Sequence, residues 1–198
     1  MNKSKTISVL CLFFLLFSFP RSGLAHPHVW ADYSVQATFN ATGLEGFRVR
    51  WVFDEMFSAQ IGEMVDLGAK KPSPDQVRRI REEAFDNLRH YRYFAHVRID
   101  GRSFEVGEVK DFNAWVKNNR MVYEFFIPCI VPAANAEKTV LFQMRDPESF
   151  VDLSLASEQP ASLINPSGME VNYELRHAGS AGIGGLLEPK SLHLRFRK

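Results

Sequence analysis

Beyond residue 93 the chain becomes a series of short segments in which apolar and polar residues alternate, each closed by a turn after about ten residues, and that rhythm leaves few folds open. The segments run over 94–100, 103–106, 109–116, 121–131, 138–145, 150–156, 169–177 and 191–197. Residues 29–40 and 44–53 carry the same alternation on either side of Ala41-Thr42-Gly43, which predicts a β-hairpin. Between hairpin and later strands the period changes. Met56, Phe57, Ile61, Met64 and Val65 predict a helix over 55–67, and Val77, Ile80, Ala84, Phe85 and Leu88 a second one over 75–91. Ser73 and Pro74 form its expected start. The expected fold is α+β and mostly β: an antiparallel β-sandwich-like domain with a two-helix insertion at about residues 55–91. The glycine-rich stretch 178–187 has no GxGxxG spacing opening a helix, so it reads as a loop.

The first 25 residues read as a secretory signal peptide. Lys3 and Lys5 give a basic start, residues 7–19 are uncharged and apolar but for Ser8 and Ser18, and Gly23 and Ala25 stand at the −3 and −1 positions that signal peptidase requires. The apolar stretch falls short of the ~20 residues that span a bilayer, so the product is expected to be a periplasmic protein of a single domain, residues 26–198. Loss of Lys3, Lys5 and Arg21 takes the formal charge from +1 to −2, which argues against a nucleic-acid partner. Cys11 leaves with the leader. Cys129 is then alone, in the run Phe125-Phe126-Ile127-Pro128-Cys129-Ile130-Val131, and reads as a buried small hydrophobe.

Cleavage after Ala25 makes His26 the first residue of His26-Pro27-His28. A terminal amine has a pKa near ~8, against ~10.4 for lysine, so the amine and imidazole of one histidine can close a chelate on a metal. Square-planar binding through two deprotonated backbone amides is blocked, because Pro27 has no amide proton. A brace remains: amine and ring of His26, with a second imidazole from His28. Such nitrogen-rich ligation suits zinc, copper or nickel. Asp54 and Asp146 are the candidate oxygen donors, although a helix cap for Asp54 and a turn for Asp146 are the ordinary roles of such residues. His90, His96, His177 and His193 are scattered without metal-ligand spacing and read as partly exposed or satisfied histidines.

Four segments resemble a bacterial family of domain-of-unknown-function proteins described as the periplasmic component of an uncharacterised ABC-type transport system. They are His26-Pro27-His28-Val29-Trp30, Trp51-Val52-Phe53-Asp54-Glu55-Met56-Phe57-Ser58, Tyr93-Phe94 with Val97-Arg98-Ile99-Asp100-Gly101, and Arg145-Asp146-Pro147-Glu148-Ser149-Phe150. The resemblance implies a role in divalent-metal handling at the cell envelope, beside an inner-membrane metal permease or ABC transporter. This chain departs from the family twice: it has Asp66-Leu67-Gly68-Ala69-Lys70-Lys71-Pro72 where many members carry an acidic, calcium-loop-like stretch, and Arg145 where relatives often have tyrosine.

The expected function is therefore metal binding at His26 in the service of a membrane metal transport system. One alternative is a copper-dependent oxidase working through the same histidine brace; another is a sandwich that acts by protein contact alone. GxSxG, HExxH and a Walker lysine are all absent from the sequence, so an enzyme is not the favoured reading.

Overall fold

The computed structural model describes residues 29–68, 71–177 and 190–198. Strand β1 (Val29–Asn40) turns every second side chain inward, so that Val29, Ala31, Tyr33, Val35, Ala37 and Phe39 are buried in succession. It pairs antiparallel with β2 (Gly43–Phe53) as the alternation predicts. The Asn40 side chain builds the turn, its Oδ1 accepting the backbone N–H of Thr42 at 2.7 Å and of Gly43 at 3.2 Å. Early in β2 the register with the neighbouring strand, Arg120–Pro132, slips at Gly46, whose φ is +156° and whose missing Cβ would lie 2.2 Å from the carbonyl oxygen of Ile127. Only glycine fits that approach.

The later strands are β3 (Ala95–Ile99), β4 (Arg102–Phe104), β5 (Lys110–Lys117), β6 (Arg120–Pro132), β7 (Lys138–Met144), β8 (Val151–Leu155), β9 (Ala161–Ile164), β10 (Val171–His177) and β11 (Lys190–Phe196). One sheet has the order β5-β6-β2-β1-β8, with β9 also on β1; the other is β10-β11-β7-β3-β4. All ladders are antiparallel except those of β8 and β9, which lie end to end along β1 and run parallel to it. The sheets face one another through aromatic side chains. Phe39 meets Phe196 edge-on at 4.9 Å between ring centroids, Phe47 meets Phe142 at 4.6 Å, and the Trp51 indole N–H donates to the Met144 sulfur at 3.2 Å. The result is the expected mostly-β sandwich, with helices between β2 and β3.

Those helices differ from the sequence expectation. Helix α1 (Glu55–Met64) starts as foreseen, capped by Asp54. Helix α2 (Pro74–Ile80) also starts as foreseen, with a capping box between Ser73 and Gln76 and Pro74 in its first turn. The predicted continuous helix over 75–91 does not form, however: after Ile80 the chain widens into a π turn over Arg81–Phe85 and then tightens into 3₁₀ turns over Asp86–Phe94. The cause is tertiary. Phe85 is fully buried and must sit against Phe112, Phe125 and Trp51, at ring separations of 4.4, 4.9 and 6.2 Å, a position that an unbroken 3.6-residue period does not deliver. Arg92, Tyr93 and Phe94 then take left-handed φ values of 54°, 52° and 57°, which turn the chain into β3. Strand β9 was not anticipated; its sequence, Ala161-Ser162-Leu163-Ile164, is too short to show a period. The loop foreseen over 178–187 lies outside the described residues.

Candidate functional site

The amino-terminal His26 and His28 lie outside the described residues, and Val29 is where description begins. What surrounds the root of β1 is well defined. On one side Asp54 ends β2 and starts α1. Its Oδ2 accepts the backbone N–H of Trp30 at 2.9 Å, its own N–H donates to the Trp30 carbonyl at 2.9 Å, and its Oδ1 accepts the N–H of Phe57 at 2.8 Å. One carboxylate thus moors the strand and caps the helix.

Arg120 fixes the segment just before Asp54. Its guanidinium donates to the carbonyls of Phe53 at 2.5 Å and Val52 at 3.0 Å and pairs with Asp32 at 3.1 Å. Ser58, one turn into α1, receives the Met121 N–H at 2.7 Å and ties the helix to β6. Nothing in the sequence marks Arg120 beyond a turn position, because its partners, two backbone carbonyls and the Asp32 carboxylate, lie 67, 68 and 88 residues away.

On the other side stands Asp146, which is 6% exposed. Its Oδ1 accepts the Glu148 N–H, and its Oδ2 accepts those of Phe150 and Val151, each at 2.9 Å. Val151 is the register partner of Val29, and the Val29 N–H donates to the Phe150 carbonyl at 3.4 Å. Ser149 closes the loop with φ at 57°. The two candidate oxygen donors are therefore brought to the two flanks of the same strand root, each already organising backbone amides. Around them Trp30, Met56, Tyr91 and Phe150 remain exposed.

The remaining histidines behave as satisfied side chains where their partners are defined. The His96 ring N–H donates to the Arg145 carbonyl at 3.0 Å, and His193 shares a 2.9 Å hydrogen bond with Ser191. Burial, reinforced by Arg176, lowers the His193 pKa. Among the described residues no three His, Cys, Asp or Glu side chains converge on a point that could hold a metal. No helix among them is long and apolar enough to cross a membrane.

Cys129 is fully buried, as its run of neighbours implied, and burial pushes its thiol up to about 12. Iodoacetamide at pH 8 is accordingly expected to leave Cys129 unmodified in the native protein and to carbamidomethylate it only in denaturant, which peptide mass measurement would read directly. Alkylation of the folded protein at a rate similar to that of the unfolded chain would contradict this placement.

The geometry defines a β-sandwich protein whose first strand is moored at its amino end by two carboxylates. Residues 9–176 match the profile of DUF1007, described as a protein of unknown function, and the chain belongs to that family. It is also similar to an uncharacterised 15.5 kDa protein encoded in the trpE 3′ region of Spirochaeta aurantia, with 27% identity over 101 residues, 51% of this chain and 71% of that protein.

Proposed function

We propose that the chain is exported to the periplasm, is trimmed to begin at His26, and binds a divalent transition metal there on behalf of a membrane metal transport system. The observation that carries the reading is the mooring of the strand root. Only Pro27 and His28 separate His26 from a strand whose first two residues are fixed by hydrogen bonds on both flanks, so a terminal chelate would lose little entropy on ordering. Amine and imidazole of His26 would supply one chelate and His28 a second imidazole. Asp54 and Asp146 retain lone pairs that could complete the set, after their amide bonds are counted. Zinc, copper and nickel all accept such donors. The exposed apolar residues around the root, Trp30, Met56, Tyr91 and Phe150, support contact with a membrane permease at this end of the sandwich.

The test is intact-mass analysis of the exported protein, followed by melting with and without zinc, copper or nickel. A mass starting at His26 is expected, with a rise in Tm for at least one metal equivalent to about 2.7 kcal/mol at a hundredfold excess over Kd. A different amino terminus, or identical melting with all three ions, sinks the proposal.

A further inference from the structure

Both sheets end in strands whose outer edge pairs with no further strand among the described residues, and an open edge invites another chain unless something blunts it. Three of these edges are blunted. β4 is three residues long; β5 has a register shift and the left-handed Asp111, with a lysine at each end; and the edge along β1 is broken into β8 and β9, of five and four residues, with Pro160 between them. β10 is not. Its seven residues pair with β11 in unbroken register and include no proline, glycine or lysine.

The side chains of that edge fit a copy of themselves. Tyr173 and Leu175 face the core, opposite the buried Leu194 and Leu192 of β11, yet Tyr173 stays 46% exposed. Glu174 and Arg176 stand on the other face and form an ion pair along the strand. When two copies of one strand pair antiparallel, opposite side chains must share a face, so the two-fold axis relating them passes through a residue. An axis through Glu174 opposes two carboxylates, and one through Arg176 opposes two guanidiniums. An axis through Tyr173 leaves Glu174 against Asn172 and brings Arg176 only to Glu170, which lies before the strand and already holds Arg197. An axis through Leu175 sets Leu175 against its own copy and each Glu174 against Arg176 of the second copy, giving two cross-strand ion pairs. A lone charge guards an edge because a second copy brings the same charge to it. This pair, of opposite sign and two residues apart, becomes complementary when the strand is turned over.

We propose that β10 is a homodimerisation edge: two copies of the chain join antiparallel along it about a two-fold axis through Leu175, making one continuous ten-stranded sheet from two of five. The second copy's strand covers Tyr173. The interface is independent of the metal reading, since β10 belongs to the second sheet and the strand root to the first.

The test is sedimentation velocity on the exported protein with a chelator present, so that metal does not enter. A strand-edge interface is small, and a reversible dimer with Kd on the order of 10 µM is expected across roughly 1–100 µM protein. Arg176→Glu, at an exposed position, sets like charges opposite one another twice and should weaken the dimer at least about tenfold. Adding Glu174→Arg to that chain restores unlike charges across the axis and should return Kd to within about threefold of the parent. Leu175→Cys should cross-link the dimer under diamide, because the two positions face each other at about 4.5–5.5 Å between Cα atoms, within reach of a disulfide. Asn172→Cys should not, because its two copies stand roughly 20 Å apart along the strands. Cooperative melting of each variant shows that its fold is kept. A monomer at every concentration overturns the proposal and leaves this edge to a different polypeptide. So does a dimer unchanged by Arg176→Glu, one that the added Glu174→Arg fails to rescue, or cross-linking at Asn172→Cys as efficient as at Leu175→Cys.

Discussion

One alanine placed ahead of His26 in the processed chain is expected to weaken metal binding by at least about a hundredfold, while His177→Ala leaves it within about twofold. The added residue moves the amine away from the imidazole it must share a chelate with, yet it changes neither charge nor any side chain. Removing an outer-shell partner of a metal site already costs about 10–100-fold, so the loss of a direct ligand should cost no less. His177 closes β10, in the second sheet, whereas the moored strand root belongs to the first. Competition against a chromogenic chelator would measure both variants. Equal effects would show that the terminal nitrogen is not a ligand and that the histidines act as a diffuse set.

Asp146→Ala is expected to destabilise the fold by roughly 3–5 kcal/mol, a fall in Tm on the order of 10 °C. The carboxylate is almost wholly buried and accepts three backbone amides, and hydrogen bonds to a charged acceptor are worth about 1.5–3 kcal/mol each. Alanine leaves those amides without a partner and releases the loop that seats Val151 beside Val29. Asp146→Asn preserves one acceptor oxygen and should recover about half of the loss. Urea melts of the three proteins would decide it, and a loss below about 1 kcal/mol for alanine would mean that water replaces the carboxylate at no cost.

Strands were legible in the sequence wherever one face is buried and the other wet, because alternation then records the geometry directly. β1 is the clearest instance, with every odd residue from Val29 to Phe39 buried. Asp54 was legible as a cap because capping is local: donor and acceptor lie within three residues. The course of residues 81–94 was not. Its apolar positions fit a helix, but Phe85, Tyr93 and Phe94 answer to Phe125 and Trp51, contacts that no local period encodes. The same holds for Arg120, whose acceptors, the Phe53 and Val52 carbonyls and the Asp32 carboxylate, are all distant in sequence. Asp146 stood out in its Asp-Pro pair as a turn; that it would flank the root of β1 depends on the parallel pairing of β8, which has no signature in either strand.

That parallel pairing has a consequence for how the protein is made. The outer edge of the segment synthesised first is closed only by residues 151–164, so its ladder waits for more than a hundred residues to follow. Until then it offers an open row of amides and carbonyls to any other chain. A topology of such distant pairings folds slowly. If the chain is exported as proposed, threading through a membrane before folding gains time from that delay, and the same delay makes a prematurely terminated copy prone to aggregate.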